Sequence, residues 1–185
     1  NAEKHEKAIA LYEDLRDDGY EESTVHQLLY EEYVKMKDTV NYVKVLKAGF
    51  EKFPQEAWFL QNLINYYIFT NQSKEALIYL NNAIEREPNI AQYYYVKGNL
   101  TESMGQLEEA RKAFDKSLEL DPKFADSYAG IGRLYYNKAV KMADAANDIK
   151  DIKLYNAAKK NADAVFVESI PFFKKAAEMK PEEME

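Results

Sequence analysis

Residues 91–124 read AQYYYVKGNLTESMGQLEEARKAFDKSLELDPKF, and the architecture follows from them. Apolar and small residues recur three and four apart along both halves, which is helix spacing, and the alternation of a strand is absent. Pro122 then forbids continuation of the second helix. A helix pair this short cannot bury its apolar face alone, so it needs stacked neighbours of the same kind.

The neighbours are visible on either side. Pro54, Pro88 and Pro122 follow one another at intervals of 34 residues, and each follows one helix-periodic segment and precedes another. Aligned on these prolines, Ala76 and Ala110 lie twelve residues before their prolines, Leu46, Leu80 and Phe114 eight before, and Gly49, Ala83 and Ser117 five before. The last position takes only small residues. Segments 23–56, 57–90 and 91–124 therefore read as three units, each of two antiparallel helices.

At these residues the chain resembles the tetratricopeptide repeat family. The third unit carries the family pattern in aromatic Tyr94, small Gly98, turn Gly105, then Ala110, Phe114, Leu120 and Pro122. The resemblance implies an all-α, right-handed superhelix, an α-solenoid of antiparallel helix pairs whose first helices line a concave groove for proteins or peptides. Lys far outnumbers Arg, and Asn and Tyr are frequent, a composition that suggests an AT-rich, bacterial gene.

The repeat extends past the three regular units, so 1–185 reads as one solenoid domain. Ala8, Tyr12 and Leu15 sit where a second helix carries such residues, with Tyr20 at the proline's place; residues 1–22 thus read as the second helix of a truncated upstream repeat in a chain that continues before Asn1. Downstream, Tyr128, Gly132 and Tyr135 begin a fourth unit that Phe173, Ala176 and Pro181 finish, over residues 125–185. Pro181 follows Pro122 by 59 residues, which places an insertion of 25 residues at about 143–167. It is rich in Ala and charged residues and lacks Gly and Pro, so helix continues on propensity. Shared equally, about 12 extra residues per helix at 1.5 Å each project an elongated hairpin roughly 18–19 Å. Its turn is expected near Asn147 and Asp148, with Asp148 or Asp151 as N-cap and a kink before Pro171.

Composition narrows the chemistry. The 185 residues include no Cys and two His, with 32 acidic against 25 basic residues and a net charge of -7. Disulfides, thiolate sites and Cys nucleophiles are excluded, and only His5 and His26 offer an imidazole. His26 occupies an aromatic position of the first unit and reads as packing. Asp144, Asp148 and Asp151 lack the alternating ligands, Gly and Glu of a calcium loop, so no metal, cofactor or catalysis is expected. Acid concentrates in 1–22 and 178–185, leaving a nearly neutral middle. Without a basic stripe, nucleic acid is not an expected partner. No apolar run reaches the roughly 20 residues that cross a bilayer. Cytoplasm and bacterial periplasm fit equally, since no export signal is visible at a start that lacks Met.

The resemblance then assigns groove positions. Gln27 is supplied by the first unit, Trp58, Gln61 and Asn65 by the second, Gln92, Tyr95 and Asn99 by the third, and Arg133, Tyr136 and Asn137 by the fourth. Amides suit an extended peptide backbone and rings suit apolar side chains; Trp58, Tyr95 and Tyr136 are the anchors on contact area. The family's clamp for a terminal carboxylate is not supported, because Gln61 stands where its Lys would be and Val96 at the following Asn; Arg133 with Asn137 remains a pair able to hold one carboxylate. Tyr30 and Tyr42 meet where the third unit has Gly98 and Ala110, so one ring turns outward or the first pair spreads. The expected function is a protein- or peptide-binding scaffold or adaptor. The competing reading is a structural self-assembly module, a homo-oligomer joined through the hairpin, with Tyr155, Val165, Phe166 and Val167 as contacts, or through the solenoid ends.

Overall fold

The computed structural model describes residues 2–20 and 22–180. Among these residues it contains nine α-helices and no strand, an all-α helical-repeat fold. By their contacts the helices group into two compact units, 1–83 and 84–185. The first holds α1 (Ala2–Asp17), α2 (Ser23–Lys35), α3 (Thr39–Lys52), α4 (Ala57–Phe69) and most of α5 (Ser73–Arg86). The second holds α6 (Ala91–Ser103), α7 (Leu107–Leu120), α8 (Ala125–Ala146) and α9 (Ile152–Met179). Pro54, Pro88 and Pro122 each stand two residues past the end of α3, α5 and α7. Pro181 lies outside the described residues.

The 34-residue period is written in the backbone as well. Lys37 (φ 59°), Asn71 (φ 56°) and Gly105 (φ 76°) occupy the left-handed region at equivalent turns, after α2, α4 and α6. In each turn that residue's N–H bonds the carbonyl three back, and the next N–H bonds the carbonyl five back: Lys37 to Val34 and Asp38 to Tyr33, Asn71 to Ile68 and Gln72 to Tyr67, Gly105 to Glu102 and Gln106 to Thr101. This is the Schellman closure, which favours Gly, then Asn. A Lys side chain there costs about 1–2 kcal/mol, which glycine's larger unfolded-state entropy offsets by roughly 0.5–1 kcal/mol. Lys37→Gly is therefore expected to stabilise the first unit by about 0.5–1 kcal/mol, read as a higher urea midpoint at unchanged slope. Asn71→Gly should gain less.

In the first unit, Ile9 of α1 packs with Val25, Leu29, Tyr33 and Val45. Tyr33 donates its hydroxyl to Glu13 (2.8 Å), and burial together with this bond raises its pKa to about 12. His5 Nδ1 and Glu32 tie α1 to α2 at 2.5 Å. The end of α1 differs from those of α3, α5 and α7: with Tyr20 where a proline would stand, the chain turns at Gly19 (φ 84°), and the Tyr20 N–H returns to the Leu15 carbonyl. Tyr30 and Tyr42 meet edge to face at 5.6 Å. Neither ring turns out: both are half-buried, and each meets a further ring of α4, Trp58 at 5.1 Å and Tyr66 at 5.6 Å.

His26 is 3% exposed, its Nδ1 has no hydrogen-bond partner, and its ring abuts Phe53 and Phe59 edge-on. Desolvation lowers its pKa below the ordinary 6.5; the positive charges of Lys52 on α3 and Arg16 on α1 add to this, and a backbone hydrogen bond with Glu22 opposes it. The unfolded chain thus binds the proton more tightly than the folded one, so the stability tied to neutral His26 is full above about pH 6.5 and lost as pH falls below it. Between about pH 7 and pH 5, the first unit of the wild type should lose more of its melting temperature than that of His26→Phe. Equal losses would remove His26 from the acid response.

The two units solve one packing problem with opposite volumes. A Cβ on Gly49 would run into the Phe59 ring; two repeat lengths later Ser117 and Ser127 face each other, both fully buried, and the Ser127 hydroxyl donates to Ser117 at 2.7 Å. Large plus absent is matched by small plus small. In the second unit the fully buried Phe114 lies with Ala110, Ile131 and Leu134, its ring pressed on the α-carbons of Gly98 and Gly130. The pair recurs at the fourth unit, where a Cβ on Gly132 would stand 3.0 Å from Phe173.

The elongated hairpin is made by α8 and α9, but unequally. α8 has 22 residues against the 13 of α6, and α9 has 28 against the 14 of α7. The insertion therefore lengthens α9 more than α8, correcting the equal division, since the chain reverses at 147–151 as soon as Asp151 caps α9 by accepting from the Lys153 (2.8 Å) and Leu154 (3.0 Å) amides. Ala139, Ala146 and Ala162 are buried along the hairpin, where small side chains allow close approach. α9 runs as one helix through Pro171, and the Ser169 hydroxyl donates to the Phe166 carbonyl at 2.6 Å. No described helix is long and apolar enough to cross a membrane.

Candidate functional site

In the first unit, Gln61 and Asn65 of α4 are exposed, and Gln27 of α2 and Trp58 of α4 are half-buried. Trp58 is a packing residue: its ring meets Tyr30 and Phe59 edge-on, each at 5.1 Å. Its backbone carbonyl accepts from the Asn62 amide at 2.8 Å. The two ring contacts hold the indole in one place and leave only part of it exposed. Phe69, at the end of the same helix, is 87% exposed.

In the second unit, α6 and α8 line an open cleft of about 650 Å³ with Tyr95, Asn99, Glu102, Arg133, Asn137, Lys138, Val140 and Lys141, joined by Leu107 of α7. Tyr95 is half-buried, 6.1 Å from Phe114 and 5.5 Å from Phe124, so like Trp58 it is fixed by the core behind it. Arg133 spans the cleft: Nε donates to Glu102 Oε1 (3.1 Å), and Nη2 donates to Glu102 Oε2 and to Asn99 Oδ1, both at 2.7 Å. Asn137 Nδ2 lies 3.4 Å from Glu102 Oε1. The carboxylate that Arg133 and Asn137 hold is thus the chain's own. Bonding to Glu102 raises the Arg133 pKa further, against desolvation. Gln92 and Tyr136 are exposed; Tyr136 lies beside Phe166 of α9, ring centroids 5.6 Å apart.

The groove positions read from the sequence did not pair Arg133 with Glu102, and they missed Lys138, Val140 and Lys141. The signal was available for Lys141, which continues the four-residue spacing of Arg133 and Asn137; Lys138 lies off that row. Outside the cleft, Phe166, Val167, Ile170 and Phe173 of α9 are 43%, 59%, 37% and 40% exposed; Tyr155 and Val165 are half-buried. Among the described residues no group of acidic or His side chains is arranged to hold a metal ion.

Against known proteins, the family model described as N-terminal acetyltransferase A, auxiliary subunit, matches residues 6–159. The chain belongs to this auxiliary-subunit family. Among solved structures, this family member is similar to a crystal structure of MamA, with 20% identity over 97% of this chain and 90% of that one and a TM-score of 0.65. A MamA RS-1 double mutant gives 17% identity, 97% and 87% coverage and a TM-score of 0.63, and MamA MSR-1 gives 19%, 98%, 90% and 0.59. At these identities the likeness establishes the helical-repeat fold. No curated protein sequence matches the chain.

Proposed function

We propose that this chain is a non-catalytic scaffold that holds a protein partner on the outward side chains of α2 and α4 in its first unit and of α6 and α8 in its second. The observation that carries the reading is the α6/α8 cleft. It presents amide and cationic side chains beside Tyr95, on a surface whose ring and guanidinium are already fixed by core packing and by Glu102. Groups ordered before binding lose little entropy on binding. Gln61, Asn65 and Gln92 add exposed amides suited to a partner's backbone. An auxiliary subunit works beside a catalytic one, so the partner we assign is the catalytic subunit of an N-terminal acetyltransferase.

The test mixes this chain with such a catalytic subunit and follows size-exclusion mass and acetyl transfer. A joint complex, with no transfer by this chain alone, is the expected result. Separate elution at micromolar concentration, or transfer by this chain alone, would overturn the reading.

The exposed stripe Phe166, Val167, Ile170 and Phe173 supports a second reading, self-association through the hairpin, since contiguous apolar surface of this kind marks contacts. Sedimentation across concentration tests it. Concentration-dependent dimers that Val167→Ser with Ile170→Ser abolishes would support it, and a monomer throughout would discard it.

A further inference from the structure

We propose that the α6/α8 cleft takes an acidic segment of the protein partner, and that Glu102 is a built-in competitor for the cations that hold it. The proposal rests on the protein-binding reading above. Three cations, Arg133, Lys138 and Lys141, line the cleft against one carboxylate, Glu102. This local excess of positive charge sits on a chain whose net charge is -7, so the cleft differs in sign from the molecule around it. An acidic segment is repelled by the molecule at large and attracted here, which gives position as well as affinity.

The two lysines come from the part of α8 that exceeds the length of α6, so the elongated hairpin supplies them. Both are exposed, and neither has an ion-pair or hydrogen-bond partner among the described residues. Val140 and Leu107, which line the same cleft, are 39% and 38% exposed. An acidic segment with an interspersed apolar residue matches this mixture of charge and hydrocarbon.

Glu102 decides how strongly such a segment binds. Its side chain is only 14% exposed and takes the Nε and Nη2 edge of Arg133, the edge on which an incoming carboxylate would make two parallel, charge-assisted bonds. The Arg133 Nη1 group has no partner among the described residues. An incoming carboxylate can therefore meet Nη1 and the two ammonium groups with Glu102 in place, and reach the forked edge only by displacing it. Removing the charge of Glu102 at constant size frees the fork and removes a repulsion across the cleft. A Glu102 that merely shaped the cleft would give the opposite sign, since its loss would loosen Arg133 and weaken binding.

The test uses fluorescein-labelled octapeptides EELEELEE, QQLQQLQQ and KKLKKLKK, followed by anisotropy against the full chain at about 50 mM and about 300 mM salt. The wild type should prefer the acidic peptide and lose it at the higher salt. Lys138→Gln with Lys141→Gln should weaken it about tenfold or more, and Glu102→Gln should tighten it about tenfold, each of these being the worth of one charge-assisted bond. Far-UV melting checks each variant; the lysine pair is exposed and carries the test if Glu102→Gln unfolds. Acidic and neutral peptides bound equally by wild type and Glu102→Gln, preference for the basic peptide, or weaker binding by a folded Glu102→Gln would each overturn the proposal. A complex with the catalytic subunit that forms while the acidic peptide fails overturns this inference and leaves the scaffold reading standing. An acidic peptide that behaves as stated while no such complex forms supports the inference and removes the assigned partner.

Discussion

Phe114→Ala is expected to destabilise the second unit by about 3–5 kcal/mol, the range for truncating a fully buried aromatic ring. For a unit of about a hundred residues this lowers the melting temperature by roughly 10 °C or more. The ring is fully buried and touches three helices at once: Ala110 on its own α7, Ile131 and Leu134 on α8, and the bare α-carbons of Gly98 on α6 and Gly130 on α8. Collapse into the vacated space would require backbone to move, because no side chain at Gly98 or Gly130 can swing inward. The cavity therefore stays open and its cost is felt in full. Urea unfolding followed by circular dichroism measures it, and a loss below about 1 kcal/mol would mean that the second unit is not organised around this ring.

Gly98→Val gives the complementary result. Its Cβ would collide with the Phe114 ring, and the struck atoms belong to a rigid ring wedged between two helices, so the chain must open the α6/α7 contact. We expect a loss of about 1–3 kcal/mol from overpacking, to which valine's lower helix propensity adds a few tenths. The two substitutions should not add. In a Phe114→Ala background the valine enters the space the ring has left, so the double variant should be less destabilised than the two single losses combined by about 1–2 kcal/mol. Additivity within about 0.5 kcal/mol would contradict direct contact between position 98 and the ring.

The helical-repeat fold was legible in the sequence because its signals are local. A proline needs only its own ring to end a helix, and Pro54, Pro88 and Pro122 announce their turns one by one. The left-handed turns show where that legibility stops. Gly105 declares its backbone, but Lys37 and Asn71 adopt the same φ with side chains that conceal it; only the 34-residue interval from Gly105 points to them. The exchange of Gly49 and Phe59 for Ser117 and Ser127 was hidden for another reason. Gly49 and Ser117 match as small residues one position at a time, and nothing in the spacing says that Phe59 faces the first and Ser127 the second.

The candidate site was legible by face but not by pairing. Helix spacing places Asn99 and Glu102 together on α6 and Arg133 and Asn137 together on α8. Which side chain reaches which depends on how the two helices approach, and that is set by Gly98, Gly130 and Phe114 in the layer beneath. Spacing also says nothing of how deeply a ring sits, so Trp58 and Tyr95 read as open anchors although their rings are half committed to the core. The equal sharing of the insertion failed because Asp151 caps α9 where its side chain meets two free amides, and no rule of symmetry governs where that happens.

Hydrogen–deuterium exchange of this chain, with and without the catalytic acetyltransferase subunit, tests the scaffold reading most directly, because it reports each helix separately. If the scaffold reading holds, α2, α4, α6 and α8 exchange more slowly on addition of the subunit, with α5 and α7 unchanged. Unchanged exchange in α4, α6 and α8, or slowing confined to α9, would contradict it.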